Sequence, residues 1–275
     1  MLAHRDLGAG LVAPRPGPAE AAPSLSTRWG LAVRLQRASF LGWAAGLVAS
    51  GVAYGSVGKD IGDLIGDNNT VADLLAQGGG SLTDTFFATS TLILALITGG
   101  FAVAAVLRLR SEETSGRAEP LLATALSRSD WAGGHLAVAV LGTLVVLAAT
   151  GLGMGLTYGL SVHDLGQTGR LVGAAVAFAP ALWVLIGVAL ALFGLFPRAT
   201  AAAWGALALC FVIGLFGELF DLPDWVIDLS PFQHVPGMPA QGFDVVPLAV
   251  LTAIAAALVA AGLAGLRRRD ITAGA

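Results

Sequence analysis

The chain has 275 residues, of which 56% are apolar and 12% charged, with a formal net charge of −3. Soluble domains run nearer a quarter charged, and a mean hydropathy of +0.78 carried by several apolar runs longer than eighteen residues describes an integral membrane protein. Disorder, a secreted disulfide scaffold and nucleic-acid binding are excluded, and the lone Cys210 has no partner in the chain for a disulfide or a thiolate cluster.

In chain order, residues 1–26 carry Pro14, Pro16, Pro18 and Pro23 and lack a continuous apolar stretch, so a tail or linker is expected rather than a secretory signal. Residues 27–37 interleave Arg28, Arg34 and Arg37 with Trp29, Leu31, Val33 and Leu35. They suit a short basic helix lying on the inner leaflet, or equally the plain start of the first span. Six apolar spans follow, at 38–57, 84–107, 136–160, 171–196, 199–217 and 245–266, and in lipid they must be helices. Pro180 and Trp183 predict a kinked fourth span, and Pro197-Arg198 a tight turn into the fifth. Segment 58–83, ending in Gly78-Gly79-Gly80, reads as a longer outer connection. Segment 218–244 holds Pro223, Pro231, Pro236 and Pro239 among Leu219, Phe220, Trp225, Val226, Ile227 and Phe232. It is too apolar for a free loop and too broken for a span, so an outer segment that dips into the interface and returns is expected between spans five and six.

An even number of spans puts both termini on one side. With the termini cytoplasmic, the inner segments hold thirteen basic residues and the outer ones two, Lys59 and Arg170; the positive-inside bias therefore sets the termini inside. The fold class is all-α integral membrane, multi-pass in the cell membrane, with 27–275 as one six-helix domain.

Within the six spans the only Asp, Glu, Lys, Arg or His is Asp84, the first residue of 84–107 at its outer edge, and none lies at membrane depth. Ion-coupled pumping needs titratable groups at membrane depth, so the energy for uphill movement is expected from a nucleotide-hydrolysing partner. The chain itself offers no phosphate-binding loop: its single lysine stands in Gly58-Lys59-Asp60, with Ala53 and Asp60 where the motif needs Gly and Ser or Thr. The histidines His4, His135, His163 and His234 are read as scattered loop residues, and no metal or other cofactor is expected. Small residues recur every fourth position, at Gly42, Gly46 and Ser50, at Gly51 and Gly55, and at Gly151, Gly155 and Gly159. Such spacing lets helix backbones approach, within the chain or across a dimer seam.

The most informative stretch is the inner loop 108–135. Glu119-Pro120 opens a short helix, Leu121, Leu122, Ala125 and Leu126 fall on one face, and Ser127 with Asp130 resembles a capping box for the next helix. An apolar face flanked by Glu112, Glu113, Arg117 and Arg128 fits docking of a cytoplasmic protein, the alternative being leucines resting on the leaflet. Glu112-Glu113-x-x-x-Arg117 also matches the signature of CAAX-type membrane proteases, but the downstream Phe-x-x-x-His and His-x-x-x-Asn motifs of that family are missing.

Arg108-Leu-Arg-Ser-Glu-Glu-Thr-Ser-Gly-Arg-Ala-Glu-Pro-Leu-Leu-Ala-Thr, Ser230-Pro-Phe-Gln-His-Val-Pro and the ending Arg267-Arg-Arg-Asp-Ile resemble the ABC-2 type permease subunits of ATP-binding-cassette exporters, in their actinobacterial polyketide-antibiotic and multidrug branch. The resemblance implies an elbow helix before span one, re-entrant outer helices between spans five and six, and a coupling helix between spans two and three that meets a separate ATPase. Glu112, Glu113, Arg117 and Glu119 fall in that coupling region. It also implies a lipophilic substrate. In that branch the permease is similar to a tandem of two six-span halves, and this chain resembles the second. Arg5-Asp6-Leu7-Gly8-Ala9-Gly10 echoes Arg269-Asp270-Ile271-Thr272-Ala273-Gly274, so the start looks like the end of a preceding repeat. The other half is expected as a separate chain, as a second copy, or as the missing part of a longer sequence. A membrane anchor or immunity factor recruiting a cytoplasmic protein through the same loop is the alternative function.

Overall fold

The computed structural model describes residues 28–63, 81–117, 119, 123, 127–217 and 219–268. Among these, every regular element is a helix: α1 (Arg28–Asp63), α2 (Leu82–Thr114), α3 (Arg128–Ser161), α4 (Gly166–Val176), α5 (Ala179–Leu195), α6 (Ala202–Phe216), the one-turn α7 (Asp224–Ile227) and α8 (Val245–Arg268). Five stretches are long and apolar enough to cross a membrane: α1, α2, α3, α4 with α5, and α8.

The fifth expected span, 199–217, forms a shorter apolar helix, Ala202–Phe216. At 15 residues it is ~22 Å long against ~30 Å of hydrocarbon. Its first turn is lost to the 3₁₀ turn Pro197–Ala199, which the Thr200 hydroxyl closes by donating to the Pro197 carbonyl at 2.6 Å.

Of the two forms expected for 27–37, the structure shows the plain start of the first span, because Arg28–Asp63 is one helix of 36 residues. No proline or glycine interrupts 31–41, and Ala32 and Gln36 are buried, so the first turns run on with the bundle.

Caps set the other ends. Ser81 and Ser127 are extended N-cap residues whose hydroxyls accept from the Asp84 and Asp130 amides at 3.0 and 3.1 Å, and each aspartate suits the positive end of its helix. The kink expected from Pro180 lies at 177–178, where the two residues between α4 and α5 keep helical backbone angles. Pro180 lies in the first turn of α5, and the i−4 carbonyl it cannot use belongs to Val176, the last residue of α4.

α2 and α4–α5 lie at the centre, with 67% of their most apolar stretch buried, against 17% for α1 and for α8. Phe101, Leu109, Leu182, Ile186, Leu190 and Phe193 fill the core between α2 and α5. α1 packs chiefly on α3, α4 on α3, and α8 on α5. Outward-facing Leu41, Leu141, Leu160 and Val246 are each at least 60% exposed, an apolar girdle suited to acyl chains.

Glycines set the closest approaches. A Cβ added to Gly151, Gly155 or Gly159 meets α4 or the turn before it at 2.8, 2.7 and 2.8 Å, through Val172 Cα, Thr168 Cα and the Asp164 carbonyl. Gly51 and Gly55 stand likewise against the Thr150 carbonyl and the Met154 backbone, and Gly194 against Gly262. Gly42 and Gly46 differ: an added Cβ there meets nothing within 4 Å.

Candidate functional site

The polar chemistry gathers at the end of the bundle where α2 finishes and α3 begins. α2 outruns its apolar stretch by two turns, and those turns carry Arg108 and Glu112. Glu112 is 2% exposed, although the sequence places it among surface charges. Arg108 Nε lies 2.9 Å from its Oε1, an ion pair across one helical turn without hydrogen-bond alignment. Arg117 Nε donates to Oε2 at 2.9 Å, and Nη2 to Oε1 at 3.4 Å. A buried carboxylate needs such partners, because leaving one unpaired costs several kcal/mol.

The backbone delivers Arg117 to that position. Gly116 has φ +70°, its amide donates to the Glu113 carbonyl at 3.0 Å, and the Arg117 amide donates to the Glu112 carbonyl at 3.1 Å. This is a Schellman end, in which the glycine takes the left-handed turn and the next residue folds back. Glu112 therefore receives Arg117 twice, through its carbonyl and its carboxylate, and the loop leaves α2 in one fixed direction. Glu113 beside it is half-buried, and Glu119 is exposed, with its carbonyl accepting from the Ala123 amide at 2.9 Å. Leu121, Leu122 and Leu126, assigned to the docking face, lie outside the described residues, as do the tail, the 64–80 connection and the chain end.

A second buried pair lies alongside. His135 is not a loop residue: it sits on α3, 2% exposed, and Gln36 Nε2 on α1 donates to its Nδ1 at 2.9 Å. Trp131 packs edge-on against the imidazole with centroids 6.0 Å apart, and Glu112 and Arg108 are its charged neighbours. Gln36, Arg108 and His135 were not singled out from sequence. The signals that were available are a glutamine in the first basic turns of α1 and the Arg108–Glu112 spacing of four. The 99-residue separation between Gln36 and His135 leaves no local pattern to read.

At the opposite end, Arg170 on α4 joins three elements. Its Nη1 is 2.8 Å from Asp84 Oδ1 at the start of α2, and Nη2 donates to the Pro239 carbonyl at 3.2 Å. The segment between α6 and α8 is held inward as well. Phe232 and Val235 are buried, Phe232 stacks on Phe178 with centroids 6.2 Å apart, and Gln233 Nε2 donates to the Ile213 carbonyl at 3.4 Å. Phe178 lies at the junction of α4 and α5, so this plug sits where those two helices meet. Among the described residues no three His, Cys, Asp or Glu side chains come together to hold a metal ion.

A family model described as "Multidrug efflux system permease Rv1217c, C-terminal domain" matches residues 25–267. The "Multidrug efflux system permease protein Rv1217c" of Mycobacterium tuberculosis is 44% identical over 272 residues, which cover 98% of this chain and 50% of that protein. The chain thus spans about half the length of the curated relative it matches.

Proposed function

Because the chain belongs to the family of multidrug efflux system permeases defined by the Rv1217c C-terminal domain, we propose that it works as one half of the membrane part of an ATP-driven exporter of lipophilic compounds. In this reading the exporter is of the ABC-2 type, hydrolysis takes place on a separate ATPase chain, and both termini and the loop between α2 and α3 face the cytoplasm. α6, extended by its flanking turns, crosses as the fifth of six spans, and the segment between α6 and α8 is the re-entrant outer cover. The half-length match supports the need for a second permease half.

The observation that carries the coupling role is the double clamp on Glu112. A loop that must transmit force needs a stiff root, and a buried carboxylate held by two guanidinium groups and a Schellman turn makes one. Arg117 and Glu112 then act as positioning residues, while Glu113, Glu119 and the apolar face of Leu121, Leu122 and Leu126 meet the ATPase. Nucleotide-driven closure of the ATPases pulls on this loop, tilts α2 and α3, and turns a cavity between the two permease halves from inward to outward access.

The test is ATP-dependent uptake of a lipophilic dye by inside-out vesicles containing the chain with its ATPase and second half. Leu122→Asp with Glu113→Arg is expected to abolish uptake while the chain stays in the membrane. Unchanged uptake removes the coupling role, and a fully assembled wild-type complex that moves no substrate while remaining bound to its cytoplasmic partner favours the anchor reading.

A further inference from the structure

One concavity on the outside of the bundle has no occupant among the described residues. It is a groove of about 470 Å³ along α1, lined by Ser39, Gly42, Trp43, Gly46 and Ser50, with Ile97 of α2 at its edge. Its floor is bare backbone, since a Cβ at Gly42 or Gly46 meets nothing within 4 Å. Its wall is fixed, because the Trp43 ring lies over Gly100, where an added Cβ comes within 2.8 Å of it.

α1 has two faces of small residues, and among the described residues only one is packed against. Gly51 and Gly55 admit the backbone of α3, whereas Gly42, Gly46 and Ser50 face outward. Open glycines in a helix cost about 1 kcal/mol each relative to alanine, and acyl chains, being fluid, gain nothing from a glycine floor. Close approach of another helix backbone does gain from it, through packing across small residues. The Ser50 hydroxyl, which donates back to the Gly46 carbonyl at 3.0 Å, keeps the groove free of an unsatisfied polar group.

What covers the groove is suggested by length. The mycobacterial relative contains as much chain again as this one matches. We infer that the Gly42–Gly46–Ser50 groove of α1 seats a membrane helix from the other half of a full-length permease. The inference rests on the half-permease reading above and adds the contact surface to it.

The experiment places Leu at Gly42 or Gly46 and co-expresses each variant with the unmatched half of the mycobacterial relative as a separate membrane chain, with Gly205→Leu as control. Gly205 is also a helical glycine whose added Cβ meets nothing within 4 Å. Affinity capture of the wild type and of Gly205→Leu is expected to bring down the other half, and capture through Gly46→Leu to bring down about ten-fold less. The melting midpoint of each variant alone is expected to stay at the wild-type value, and if Gly46→Leu melts early, the smaller Gly46→Ala decides by the same readout. Equal capture by wild type and Gly46→Leu overturns the groove and leaves the half-permease reading standing. No capture by the wild type removes that reading and the groove with it. A groove variant that loses self-association while still capturing the other half overturns the choice of occupant.

Discussion

Glu112 shows how a single side chain changes meaning between sequence and structure. In the sequence it is one acid in a run of charges; in the structure it is buried with a guanidinium on each side. Removing the acid loses both ion pairs, the Arg117 hydrogen bonds and the packing of a buried side chain, whereas removing Arg117 leaves the buried carboxylate its pair with Arg108. Glu112→Ala is therefore expected to cost about 2 kcal/mol and Arg117→Ala about 1 kcal/mol, with the double variant less destabilised than the sum. Thermal unfolding of the purified chain in detergent checks all three. Glycines divide in the same way. Gly155→Leu drives a side chain into the Thr168 backbone and is expected to lower stability by about 3 kcal/mol. Gly169→Leu, where an added Cβ meets nothing within 4 Å, is expected to be neutral by the same measurement.

At the scale of elements, the apolar stretches of α1, α2, α3, α5 and α8 were legible because each is a long run without charge. Their ends were not. Hydropathy reports where lipid stops, but a helix continues for as long as its amides find carbonyls, so α2 runs on to Thr114 and α1 starts at Arg28. The extra turns are where the polar cluster forms. This explains why the loop was recognisable as a region while the residues that stiffen it, Gln36, Arg108 and His135, were not: their partners lie on other turns or other helices. Ser127 was legible, since an N-cap is a local device, and Ser127→Ala is expected to cost about 1 kcal/mol. At the other end, Arg170 ties α4 both to α2 and to the Pro239 carbonyl. Arg170→Ala is expected to speed amide exchange across 231–241 several-fold while leaving α2 and α5 protected, as local hydrogen exchange will show.

For the molecule as a whole, the split of thirteen basic residues to two predicts an orientation that cysteine labelling can test. Ser115→Cys is expected to react with an impermeant maleimide only in inside-out vesicles, and Asp164→Cys only in intact cells; the opposite pattern inverts the topology. The exposed apolar girdle describes a unit suited to being surrounded by lipid. Within that unit α1 and α3 are welded along their whole length: Gln36 holds His135 near one end, and Gly51 and Gly55 admit the backbone at Thr150 and Met154 further along. Neither can lean without the other. A displacement imposed on α3 at its Ser127 end is thus shared at once by the outermost flank of the molecule, bypassing the tightly packed central helices.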